Sequence, residues 1–248
     1  MLLHKTMDLL RLFTPARREL SVSEVAKLLT WPKSTTSRSL SAMEAAGFLD
    51  RSVESGRYRV SMQLAAVGEL AKQATSLQQM ARPALERLTA ATGETSNLVV
   101  LVDSEGVNVE AIESPQPVMH MGSVGRRFPL HASAACKALL AWRPDSEILS
   151  LLQLPLARCT PATITSPELL LRDLADVRER GYAVNWMELE DDLVAVGAPV
   201  RDHRSDVVAA ISISAPASRV PRDVLPAIGA HVVDAARALS RSLGCPSC

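Results

Sequence analysis

Lys33, Ser34, Thr35, Ser37, Arg38 and Ser41 fall within nine consecutive positions, and together their side chains suit one kind of chemistry. Short hydroxyls let a helix backbone come close to a nucleic-acid groove, and an arginine can pair bidentately with the acceptors on a guanine edge. Hydroxyls and amides near a helix start also suit phosphate oxygens. Further on, Arg57 and Arg59 alternate with Tyr58 and Val60. On an extended strand both arginines would project to one side, toward phosphates or a minor groove. Each group also has a plainer reading, a solvated helix face or a solvated strand. The surrounding elements decide between them.

Those elements read as helix, turn, helix and hairpin. Val22, Val25, Ala26, Leu28 and Leu29 recur at helical spacing and line one face of a short amphipathic helix. Trp31-Pro32 stops it, because proline lacks an N–H and disfavours helix in the residue before it. A second helix is expected to restart at Ser34-Thr35, where a hydroxyl can cap the first free amides, with Leu40, Met43 and Ala46 facing inward. Two helices joined by so short a turn cross steeply, which is the geometry of a helix-turn-helix. After Gly47, the segments FLDRSV and RYRVS flank Glu54-Ser55-Gly56, a polar turn that predicts a hairpin. Residues 1–61 therefore read as a winged helix-turn-helix, and that context favours double-stranded DNA over a merely solvated face.

At 248 residues the chain has room for two domains. Net charge is zero but unevenly placed: residues 1–61 hold ten Lys/Arg against six Asp/Glu, and residues 62–248 hold seventeen against twenty-one. A basic head on an acidic body fits nucleic-acid contact confined to the head, although a four-charge bias carries little weight alone. MLLHKTMDLLRLF reads as an amphipathic helix and not a signal peptide, and no apolar run is long enough to span a bilayer, so a cytoplasmic protein is expected. Cys136, Cys159, Cys245 and Cys248 show no disulfide framework. Cys245-Pro-Ser-Cys248 is a CxxC without a second pair and reads as a frayed chain end, so no metal or cofactor is expected.

An enzyme is a weaker reading. His131, Ser133 and Cys136 could be drawn as base and nucleophile, but no glycine-flanked elbow surrounds them. Cys136 lies in an alanine–leucine helix, where a thiol is usually buried and inert. No metalloprotease, P-loop or dinucleotide pattern occurs.

Residues 62–79 contain no proline and predict a linker helix with an apolar face wide enough to pair with a second subunit. Two heads on a dimer would match two DNA half-sites. Beyond residue 80 the texture is mixed. Helices are expected over Pro83–Ala91, His131–Trp142, part of Ser150–Arg158, Pro167–Arg180 and Pro221–Leu243. SNLVVLVD and GVNVEAIES predict a hairpin, VMHMGS a third strand, and YAVNWM, LVAVGAPV and DVVAAISIS three more. Helices around an antiparallel-rich sheet make residues 80–248 one α+β body.

In this order the pieces resemble the IclR family of bacterial transcription regulators. The resemblance is carried by PKSTTSRSLSAMEAAGFL and GRYRVS in the head. In the body it is carried by FPLHASAACKALLA, ERGYAVNWMELEDD, VGAPVRD and VVAAISISAPASRV. The head motif is common to many winged-helix regulators; LHASAxxKALLA followed by AAISISxPxxR is specific. The resemblance implies a GAF-like effector-binding body for a small organic acid, a homodimer or dimer of dimers on an inverted-repeat operator, and repression or activation of promoters. Contact with RNA polymerase, or a body that serves assembly alone, is the alternative. Carried over by position, the effector-binding residues are Ala134, Ala135, Asn185, Ala195, Ser212 and Ser214. Ser212 and Ser214 alternate with Ile211 and Ile213, so both hydroxyls share one strand face. With free amides at the start of the HASAACKA helix they could hold a carboxylate without lysine or arginine, or they could simply face solvent.

This chain departs from the family's small-keto-acid members in carrying Asn185 where they tend to have Asp, Ala195 where they have Cys, and Cys136 where glycine is usual. The expectation is an effector larger than, or oriented differently from, a two- or three-carbon acid. Trp186, Met119 and Met121 are candidate apolar walls, with core packing the favoured role for each.

Overall fold

A computed structural model describes residues 2–14, 17–67, 76–117 and 123–246, which form two compact units, Met1–Ser76 and Leu77–Cys248.

In the first unit α1 (Leu2–Leu10), α2 (Val22–Leu29) and α3 (Lys33–Ala45) precede an antiparallel pair, β1 (Leu49–Arg51) and β2 (Tyr58–Val60). Leu9, Leu20, Val25, Leu40, Met43, Leu49 and Tyr58 form its core. Ser21 caps α2 in a reciprocal capping box with Glu24. Helix α2 ends at Thr30, whose left-handed backbone (φ 54°) lets the chain turn at once toward α3. Helix α3 differs from expectation at its start. It begins at Lys33 with Pro32 in the capping position, and no side chain caps it. The fixed φ of proline suits a helix entry, and the hydroxyl of Thr36 donates back to the Pro32 carbonyl at 3.1 Å. Thr36 is thereby an inner-face residue, whereas Ala46 is exposed.

After β2, Ser61 precedes a further helix, α4 (residues 62–67), and its hydroxyl accepts from the Leu64 amide. The single linker helix expected over Met62–Gln79 is not seen as one element. Residues 68–75 lie outside the described residues, and Ser76 is not helical. A serine favours the position before a helix, and α5 starts there, running Leu77–Thr92. Helix α5 therefore begins six residues before Pro83. The apolar spacing of Leu77, Met80, Ala81, Ala84, Leu85 and Leu88 carries the helix through the proline, because that stripe packs against the sheet.

The second unit is built on one antiparallel sheet of β3 (Thr95–Val102), β4 (Glu105–Ile112), β5 (Arg127–Pro129), β6 (Ala183–Trp186), β7 (Leu193–Arg201) and β8 (Val207–Pro216), in the order β5-β4-β3-β8-β7-β6. Helices α5 and α9 (Leu225–Ser242) cover one face, while α6 (Ala134–Leu140), α7 (Asp145–Leu151) and α8 (Pro167–Arg180) pack on the other. Two helices differ from expectation: α6 is shorter than His131–Trp142, and α7 overlaps Ser150–Arg158 only at Ser150 and Leu151, beginning upstream at Asp145. Asp145 and Glu147 in the first turn of α7 favour that start, since acidic groups complement the positive end of a helix. The strand expected over Val118–Ser123, with Met119 and Met121, lies outside the described residues except for Ser123. Among the described residues no helix is long and apolar enough to cross a membrane.

Helix α6 rests directly on β7. A methyl group at Gly197 would come within 2.8 Å of the Ala134 carbonyl carbon and oxygen and 2.9 Å of the Ala135 nitrogen. Backbone cannot yield as a flexible side chain can. Gly197→Ala should therefore lower stability by about 1–3 kcal/mol, the usual cost of overpacking, measured by urea denaturation. A change below about 0.5 kcal/mol would show that α6 slides freely on the sheet.

Candidate functional site

On α3 the structure separates the residues as the helical period requires. Thr36, Leu40 and Met43 are buried, while Lys33, Ser34, Ser37, Arg38 and Ser41 are exposed and Thr35 is half-buried. The guanidinium of Arg38 donates through Nε to the Ser34 carbonyl at 3.3 Å, which lays it along the exposed face of the helix. The two wing arginines have different partners. Arg57 lies just outside β2 and donates to both carboxylate oxygens of Glu24, at 2.8 and 2.7 Å, and to the Glu19 carbonyl at 3.1 Å. It ties the wing to the start of α2. Hydrogen bonds from Ser21, and then from Arg57, pull the Glu24 carboxyl down to about 2, so this lock loosens only as pH falls from 4.5 toward that value. Arg59 remains exposed, 3.9 Å from Asp50. Sequence reasoning passed over Arg17 and Lys27, exposed cations that line an open concavity with Arg18 and Arg57. Arg17 and Arg18 precede α2 closely in the chain, and the fold adds Arg57 from the wing.

In the second unit the strand register assembles a polar cluster. Asn185 pairs with Ala195, which pairs with Ser214; in the next row Gly197 pairs with Ser212, which pairs with Asn97. Paired residues share a sheet face, so Asn185, Ser214, Ser212 and Asn97 converge beneath α6. They line a small cavity with Val99, Arg126, Phe128, Ser133, Ala135, Leu189, Leu193 and Ala195. Ser212 is buried, which rules out a solvent-facing role. The Asn97 amide donates to the Ser214 hydroxyl at 3.2 Å, and Asn108 donates to the Asn97 carbonyl oxygen at 3.0 Å. Asn185 is fully buried and its Oδ1 accepts from the Glu188 amide at 2.7 Å. That bond fixes which way the side chain points, and its Nδ2 finds no partner among the described residues. A buried amide without a partner is costly, on the order of 1–3 kcal/mol.

Two expectations, on Ala134 and on the absence of a cation, are corrected here, and Trp186 takes the core-packing role. Ala134 does not line the cavity, because its carbonyl is pressed onto Gly197. Trp186, one residue from Asn185, points to the opposite face, where Arg222 stacks 4.4 Å from its ring. The cavity does contain a cation. Arg126 is the one charged residue lining it among the described residues; it packs over the Phe128 ring at 5.2 Å and pairs with Glu190. Asn97, Arg126 and Phe128 were missed because nothing in their types or spacing points to a site, and only the pairing of β4 with β3 on one side and β5 on the other brings them together. The free volume is about 30 Å³, room for a water molecule or two.

The reactive-looking residues have structural roles. The Cys136 thiol is buried against Gly106, and burial pushes it up to about 12. The His131 Nε2 lies 2.8 Å from the Ala157 carbonyl, bracing the loop after α7. Lys137, fully buried in α6, bonds Glu188 at 2.7 and 2.6 Å and lies 2.9 Å from Asp173. Burial raises the Glu188 carboxyl, with the Lys137 ammonium opposing. Cys245 is buried, its amide bonded to Ser240, so the chain end is not frayed at that residue; Cys248 lies outside the described residues.

Comparison with known families matches residues 2–52 to the IclR helix-turn-helix domain and residues 70–241 to the bacterial transcriptional regulator IclR C-terminal domain. The chain belongs to the IclR family. It is 36% identical to the HTH-type transcriptional regulator XynR of Escherichia coli over 98% of this chain and 97% of that one. It is 35% identical to KipR of Bacillus subtilis over 97% and 96%. An IclR transcriptional regulator from Silicibacter sp. TM1040 superposes with a TM-score of 0.92 at 26% identity, covering 100% and 98% of the two chains. This IclR-family protein is thus a DNA-binding transcriptional regulator with a helix-turn-helix unit and an α/β regulatory unit, and its relatives are regulators, not enzymes.

Proposed function

We propose that residues 1–61 read an operator and that residues 80–248 sense a small organic acid, whose binding changes DNA affinity. Lys33, Ser34, Thr35, Ser37, Arg38 and Ser41 enter the major groove, with Arg59 on the backbone; Arg57 positions the wing. A dimer, or a dimer of dimers, sets two such units on an inverted repeat in the cytoplasm. Arg38→Ala should lower discrimination at one base pair by about 1–3 kcal/mol, whereas Arg59→Ala should weaken all sequences alike and flatten the salt dependence. Titrations of specific and mutated operators at several salt concentrations check both. Equal losses on specific and random DNA for Arg38→Ala would remove its base-reading role.

The observation that carries the effector reading is the unpartnered Asn185 amide in a cavity shared with Ser212, Ser214 and Ala135. Such a group calls for an acceptor, and Arg126 supplies the charge that a carboxylate needs. Ala195 frees space, so acids of four to six carbons should stabilise the protein more than glyoxylate or pyruvate, provided the loop carrying Leu189 gives way. Ligand at one hundred times its Kd adds about 2.7 kcal/mol of stability, readily seen in thermal unfolding, and the coupling to DNA affinity should be about 1–3 kcal/mol. If no carboxylic acid shifts either readout, the second unit serves assembly or contacts with RNA polymerase instead.

A further inference from the structure

The loop between β6 and β7 has a fixed root and a tip that closes over the cavity. At its root, Thr160 and Thr163 donate hydroxyl bonds to the Met187 and Glu188 carbonyls, at 2.6 and 2.7 Å. Buried Lys137 grips the Glu188 carboxylate, and the Glu188 amide bonds Asn185. Two residues on, the loop changes character. Leu189 forms part of the cavity wall, and Glu190 reaches the Arg126 guanidinium, with both partners about one-third or more exposed. Arg126 is thus a cavity-lining cation whose carboxylate partner comes from the protein's own lid, while the Asn185 amide below has no acceptor among the described residues.

We propose that Glu190 stands in for the carboxylate of the effector. The ligand is a carboxylic acid with a second acceptor, a 2-keto or 2-hydroxy group, and it binds by taking Arg126 from Glu190 while that acceptor meets Asn185 Nδ2. Displacing Glu190 frees Leu189 and opens the volume that 30 Å³ lacks. This rests on the effector reading above, and it makes Arg126 the specificity-determining residue for charge. Because the Arg126–Glu190 pair is largely solvated, it competes only weakly.

Isothermal titration of the full chain with pyruvate, 2-ketobutyrate, 2-hydroxybutyrate and the uncharged amide of lactate tests this. Glu190→Gln should tighten the acids three- to fivefold, the effect of losing one solvated competitor. Arg126→Gln should weaken them tenfold or more, and on that background Glu190→Gln should have no effect. The neutral amide should respond to neither substitution. Acids that bind and depend on Ser212 but respond identically in wild type and Glu190→Gln would overturn the stand-in role and leave the effector reading intact. If no acid binds any variant, including Glu190→Gln, both fail together.

Discussion

Lys137→Ala is expected to cost the second unit about 3–5 kcal/mol, the range seen when one partner of a buried ion pair is removed. Lys137 has no solvent exposure and faces Glu188 and Asp173. Without the ammonium, Glu188 keeps its burial and loses the opposing charge that restrains its upward shift. Lowering the pH to protonate it should therefore recover part of the loss in Lys137→Ala. Lys137→Met with Glu188→Leu should recover more, since it removes the two most buried charges together and leaves Asp173 with Arg180 as a partner at 3.6 Å. Urea denaturation at two pH values reads all three. A loss below 1 kcal/mol would mean that water reaches Glu188. Because Glu188 roots the loop over the cavity, acid binding should fall in Lys137→Ala even where the protein is folded.

Leu40→Ala should be almost as damaging, at about 2–5 kcal/mol, and its neighbour marks the contrast. Leu40 is fully buried among Leu9, Val25 and Met43, whereas Ser41 is exposed on the next position of the same helix. Ser41→Ala should leave stability within about 0.5 kcal/mol while weakening operator binding. Leu40→Ala should abolish binding by loosening α3 on its bed. Circular dichroism melts with parallel DNA titrations separate the two. If Leu40→Ala melts like the wild type, α3 is held by something other than this core.

The strongest sequence signals were those fixed by local spacing. The α2–α3 turn follows from Pro32, the end of α8 from Gly181 in its left-handed cap (φ 84°), and the shared face of Ser212 and Ser214 from strand alternation. What failed was decided at longer range. Pro83 looked like a helix start, but apolar contacts along α5 override it. The tie of Arg57 to Glu19 and Glu24 was out of reach because those partners lie more than thirty positions away. Arg126 and Asn97 could not be placed at the cavity without knowing that β4 pairs with β3 on one side and with β5 on the other. The family likeness supplied Asn185 and Ala195, but not the orphan amide or the cation above it.

Strand β8 is one residue thick, and its alternation has a mechanical meaning. Ser212 and Ser214 touch the cavity, while Ile211 and Ile213 press on the opposite side against Ala81, Ala84, Leu85 and Leu88 of α5. A tightly filled interior cannot absorb a shift of one side without moving the other. A displacement of those serines would therefore press on α5 through the thickness of a single strand, which makes β8 a thin partition between the cavity and the first helix of the second unit.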